Sequence, residues 1–124
     1  MLRITGIISF REIVFTLLPS FAPMPKLYEY FGLVVMFYSN EHDPIHVHGK
    51  YQNMESKAEI LIENGIISLV RIVGMKGKRP LEGKELNKFR MLVDLYKNDI
   101  VNKWVEFFIY NKNFSPITIT KELK

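Results

Sequence analysis

The three histidines of this 124-residue chain all fall within seven positions, in the run His42-Asp43-Pro44-Ile45-His46-Val47-His48, directly after Glu41. Imidazole is the commonest metal ligand and titrates near neutral pH unaided, so grouping every copy in one place marks a candidate site. On a strand, residues two apart share a face and lie about 7 Å apart along it. His46 and His48 are therefore expected to face together, with Val47 turned the other way toward a core. A His-x-His pair can bind one metal at about 2.0–2.1 Å per nitrogen, and the Pro44 turn could return His42 as a third ligand. Glu41 or Asp43 could add an oxygen or hold an imidazole tautomer. Three protein ligands and one open position would let a divalent metal, zinc or manganese, activate water near neutral pH. The same rings could also work without metal, as general acid and base or as donors to a phosphate. A third reading has them line the rim of a hairpin and do no chemistry. His42, His46 and His48 are thus the candidate catalytic residues and the candidate metal ligands, although no His-Glu-x-x-His pattern accompanies them.

A second cluster is basic. Lys76, Lys78 and Arg79, with Gly74 and Gly77, could hold a phosphate or an acidic substrate in a loop, but the Gly-Lys-Ser/Thr ending of a Walker motif is missing. A solvated loop is the simpler reading of such a charge run. Residues 1–75 carry six Lys/Arg against seven Asp/Glu, while residues 76–124 carry eleven against six, so the net charge of +4 comes from the second part. A basic half can attract nucleic acid or an acidic partner. Helices near Asn98 do not read as a DNA-binding pair, because Trp104, Phe107 and Phe108 look like core. Tyr28, Tyr30, Phe31, Phe37 and Tyr38 read as sheet packing in preference to a base-stacking platform.

These groups need a scaffold, and the pattern supplies one. Residues 31–38 are β-branched and aromatic, as a buried strand requires. Residues 39–44 read as a turn. Residues 45–50 and 56–62 read as the next strands, with Ala58, Ile60 and Ile62 alternating onto one face. Asn64-Gly65 joins them to a strand over 66–73, since both residues accept the positive φ of a tight primed turn. After the glycine-rich loop, Leu86, Phe89, Val93 and Tyr96 form a helical stripe. Asn98 can cap a second helix carrying Val101, Trp104, Val105 and Phe108, although one bent helix would also fit. Residues 116–120 suggest a short edge strand. The expected fold is α+β: an antiparallel meander of about four strands, packed on one face by two C-terminal helices, plus a short C-terminal strand.

At 48% apolar and 24% charged, the composition is that of an ordinary globular chain. Without cysteine, any metal must take nitrogen and oxygen ligands, and the thiol-free composition fits a cytoplasmic location. Arg11 and Glu12 interrupt the apolar start, so neither a signal peptide nor a membrane span is expected. Met24-Pro25 resembles a natural start. Residues 1–23 then read either as an upstream extension from a misplaced start codon or as an accessory segment, with Ile4, Ile7, Ile8, Val14, Phe15 and Leu18 on one helical face. Residues 24–124 read as one domain.

Met24-Pro25-Lys26-Leu27, Phe31-Gly32 and the run from Phe37 through His48 together resemble the small bacterial domain-of-unknown-function family 4160. The resemblance continues through residues 58–62, Asn64-Gly65, and Trp104-Val105-Glu106-Phe107-Phe108. Its most specific part is His-x-Pro-x-His-x-His, to which His42, Pro44, His46 and His48 correspond; many relatives carry a second proline where Ile45 stands. Members are often encoded beside a second small protein, in arrangements that look like toxin–antitoxin pairs. The resemblance therefore implies a toxin–antitoxin-type component with a small cognate partner encoded nearby, acting through the histidine hairpin. The competing expectation is a metal-dependent or histidine-based hydrolase of RNA or another phosphoester, with Lys76, Lys78 and Arg79 binding substrate.

Overall fold

The computed structural model describes residues 2–3, 5–6, 25–38 and 44–123. Its centre is a six-stranded sheet of β1 (Lys26–Tyr30), β2 (Leu33–Met36), β3 (His46–Tyr51), β4 (Met54–Glu63), β5 (Ile66–Gly74) and β6 (Ile117–Ile119). A helix, α1 (Gly83–Phe108), connects β5 to β6. The order across the sheet is β5-β4-β3-β2-β1-β6. The first five strands form an antiparallel meander, whereas β6 runs parallel to β1, pairing Tyr28 with Ile117 and Tyr30 with Ile119. Leu2–Arg3 and Thr5–Gly6 pair as two-residue strands outside this sheet. The helical face expected from Ile4, Ile7, Ile8, Val14, Phe15 and Leu18 lies outside the described residues.

Two parts of the expected architecture are corrected. The sheet is mixed and has six strands, not four, because residues 26–30 form a strand of their own. Phe31 and Gly32, both at positive φ, make the tight turn between β1 and β2; they do not open a strand. Phe31 is aromatic, so by type it belongs in a strand, but the turn overrides that preference and leaves its ring exposed.

The second correction concerns the helices. There is one helix of 26 residues, with non-helical angles only at Tyr96 (φ −109°, ψ 17°). Asn98 therefore lies inside α1 and starts nothing. The bend has local partners: the Tyr96 ring stacks on Tyr28 at 4.8 Å, and Asp99 accepts the Tyr28 hydroxyl hydrogen bond. Lys97–Asp94 and Lys103–Asp99 ion pairs flank the same turn. The helix bends at this position without ending.

Helix α1 lies across one face of the sheet. Phe89, Leu92, Val93, Ile100 and Trp104 are buried against Val35, Val47, Ala58 and Ile60. Gly49 sets the closest approach: a Cβ there would come within 2.5 Å of Phe89 Cδ1. The alternation that sends Val47 and Gly49 toward the helix sends His46 and His48 to the opposite face.

Candidate functional site

On the face away from α1, β3 and β4 pair His46 with Glu59, His48 with Lys57, and Lys50 with Glu55. The two imidazoles stand side by side, ring centroids 5.1 Å apart and planes at 72°. His46 is 5% exposed and His48 not at all. Buried polar groups need partners, and both rings have them.

The Nδ1 of His46 lies 2.6 Å from the carbonyl oxygen of Pro44. A carbonyl can only accept, so Nδ1 carries the proton and Nε2 is the basic nitrogen of the neutral ring. Pro44 thus fixes the tautomer of the histidine two residues on. The His48 ring lies flat against Tyr38, centroids 3.8 Å apart and planes within 9°. Its Nδ1 is 3.3 Å from Oε2 of Glu55, the oxygen that also accepts the Tyr38 hydroxyl hydrogen bond.

Glu55 organises the cluster. It is 2% exposed, and its second oxygen, Oε1, lies 3.7 Å from Nζ of Lys78. Its backbone N–H donates to the carbonyl of Arg79 at 2.8 Å. The Met54–Arg79 bridge and this bond dock the basic loop on the start of β4. A tight turn then presents its side chains: the Lys78 N–H donates to the Met75 carbonyl at 3.1 Å, and Gly77 takes the positive φ. Lys78 is brought to the histidine face; Arg79 turns its guanidinium to Glu82 at 3.0 Å; Lys76 is exposed on the turn.

Beside His46, Glu59 accepts hydrogen bonds from Arg71 Nε (3.1 Å) and Nη2 (2.7 Å), with Lys57 Nζ 3.8 Å away. The Arg71 hydrogen bonds hold the Glu59 carboxyl below the usual carboxylate range, against a smaller opposing effect of burial.

His42 lies outside the described residues, as do Glu41 and Asp43, so the third imidazole of the sequence motif has no described position here. Among the described residues, no group of three His, Asp or Glu side chains could hold a metal ion. His46 and His48 supply two nitrogen atoms, while Glu55 beside His48 is already engaged by Tyr38 and Lys78, and Glu59 beside His46 by Arg71. With His46 Nδ1 committed to the Pro44 carbonyl, Nε2 is the nitrogen of that ring that carries the lone pair.

Sequence reasoning missed Glu55 and gave Tyr38 only a packing role. The signal was present. If Ala58, Ile60 and Ile62 face the helix, then Glu55, Lys57 and Glu59 share the face of His46 and His48.

No helix among the described residues is long and apolar enough to cross a membrane. No curated protein and no solved structure matches the chain. Residues 32–105 match the domain of unknown function DUF4160, a span that contains the histidine run, Glu55, the basic loop and nearly all of α1. The buried histidine pair, the carboxylate that binds it to the basic loop and the helix behind them are thus the centre of a chain that belongs to the DUF4160 family.

Proposed function

We propose that this chain is a toxin–antitoxin-type component whose working surface is the sheet face around Glu55, and that this face takes RNA or another phosphoester as its ligand. The observation that carries the reading is the Glu55 carboxylate, which joins two sequence clusters by lying beside His48 Nδ1 and Lys78 Nζ. Cationic side chains next to imidazoles suit a phosphate, which needs charge neutralisation and hydrogen-bond donors.

In this reading His46 is the acid–base group, because its tautomer leaves Nε2 basic. His48 is fully buried, so it acts as a positioning residue, holding Tyr38 and Glu55 in register. Lys78, with Lys76 and Arg79 on the same loop, holds the phosphate. His42 joins as a third imidazole. A small cognate protein would act by covering this face.

A metal-assisted version uses the same residues, with His42, His46 and His48 as ligands to zinc or manganese, and the metal would supply an activated water. One set of measurements separates the versions. Untagged protein is assayed for binding and cleavage of a fluorescent single-stranded RNA, with and without chelator, beside a metal analysis. Lys78→Ala is expected to weaken binding and lower its salt dependence. His46→Ala is expected to abolish turnover with binding retained. Turnover that survives chelation supports the metal-free version. RNA binding that is absent, or unchanged in both variants, removes the phosphoester reading.

A further inference from the structure

We infer that the outer edge of β5 and the groove beside it form a two-fold interface with a second copy of this chain, extending the six-stranded sheet into one of twelve. The inference stands apart from the phosphoester reading, since it rests on the β5 edge and the helix-side groove and uses none of the histidines.

The first observation is the edge itself. β5 is the last strand in the sheet order and pairs only with β4 among the described residues. Its nine residues offer about 30 Å of backbone whose outward N–H and C=O groups can extend the ladder. Natural edge strands are usually blunted by lysine, proline, an inward charge or a β-bulge; the one irregularity of β5, at Ser68 opposite Leu61–Ile62, leaves Leu69–Gly74 in regular register. β5 (sequence IISLVRIVG) has no lysine and no proline, and its one charge, Arg71, is tied to Glu59 on the neighbouring strand. Ile66 is 70% exposed and Leu69 50%, a poor ending for a sheet in water.

The second observation says which occupant fits. Above the edge, Val70 and Ile72 of β5 and Asn87, Arg90, Met91 and Asp94 of α1 line an open groove of about 710 Å³. Leu95, 58% exposed, follows on the helix. Arg90 and Asp94 are opposite charges one helical turn apart on the same wall. Among the described residues Arg90 makes no ion pair, while Asp94 meets only the Lys97 ammonium, at 3.3 Å. A two-fold axis normal to the sheet reverses the order of the helix, so an axis passing between the levels of Arg90 and Asp94 would bring each copy's Arg90 to the other's Asp94. Such a surface is complementary to itself.

The strand agrees with the same axis. Antiparallel self-pairing centred on Val70, in the regular part of the strand, sets Val70 against Val70 on the helix side and Leu69 against Arg71 on the other. No like charges oppose each other. Met91 and Leu95 of the two helices would then fill the groove from both sides.

The test is sedimentation velocity on the full untagged chain at several concentrations, with circular dichroism to verify folding. The wild-type chain is expected to sediment as a dimer. Arg90→Asp places like charges together twice per dimer and is expected to weaken dimerisation by about tenfold or more. Arg90→Asp combined with Asp94→Arg restores the pair in swapped order and is expected to recover the dimer. Val70→Lys, which puts charge at the axis, is expected to give folded monomer. A monomeric wild-type chain overturns the inference. So does a dimer indifferent to all three variants, or a double variant no better than Arg90→Asp. Stable binding of a different small protein along this edge, in place of self-association, also overturns it.

Discussion

The Oε2 of Glu55 stands 3.3 Å from the Nδ1 of His48, on a face that neither residue shares with the helix. Through that carboxylate the third histidine of the motif is connected to Tyr38, 17 residues from Glu55, and to Lys78 on the loop after β5. Removing the carboxylate should therefore be felt at three side chains at once. Glu55→Leu is expected to lower stability by about 1–3 kcal/mol, because the Tyr38 hydroxyl loses its acceptor and the Lys78 ammonium its counter-charge. Glu55→Gln keeps an acceptor for Tyr38 and should lose less. Urea unfolding midpoints at constant slope measure the difference, and a leucine variant with the wild-type midpoint would show that the carboxylate organises nothing.

Gly49 lets the sheet and the helix approach each other. Because an added methyl would meet the buried Phe89 ring at 2.5 Å, Gly49→Ala is expected to destabilise by roughly 1–3 kcal/mol. Adding Phe89→Leu should recover part of that loss, since the two sites are in contact and their effects are coupled. Thermal melts of the single and double variants check this. Strict additivity would mean the clash is relieved elsewhere.

Glu59 gives a pH dependence whose sign is fixed by its partner. Arg71 holds its folded-state carboxyl below the ordinary range, so the unfolded chain takes up a proton first as pH falls. The contribution is present at neutral pH and is lost as pH drops through the folded-state value. Since the Arg71 side chain is half exposed, it amounts to about 1 kcal/mol or less. Glu59→Gln should accordingly be less stable than wild type at neutral pH and approach it in acid. A gap that widens in acid contradicts the assignment.

The β4–β5 turn depends on backbone conformation alone. Asn64 and Gly65 have φ of 54° and 78°, and a Cβ on Gly65 would meet nothing within 4 Å. Gly65→Ala is therefore expected to cost about 1 kcal/mol through its positive φ, with no packing contribution. Gly65→Asn, which tolerates that conformation better, should lose less. Differential scanning calorimetry ranks the three chains, and a Gly65→Ala chain as stable as wild type would count against this account.

Much of the scaffold was legible residue by residue. The Asn64-Gly65 turn, the strands on either side of it, the C-terminal strand and the common face of His46 and His48 all follow from periods and turn preferences that act over a few residues. The strand at Lys26–Tyr30 was hidden because Phe31-Gly32 resembles the start of a strand, and only pairing with β2 and β6 reveals it as a turn. The unbroken helix was hidden because Asn98 is a good cap in isolation. The bend instead sits at Tyr96, next to a tyrosine–aspartate contact spanning 71 residues.

What the sequence determined by itself is the alternation: which residues of each strand share a face, where the chain reverses, and that every histidine belongs to one short stretch. Tertiary structure decided which strands became neighbours, that the basic loop docks on Glu55, and that one helix spans the opposite face. Alternation and turn geometry are local steric properties of the backbone. Strand neighbours and loop docking depend on which distant surfaces bury each other best, and no window of a few residues contains that information.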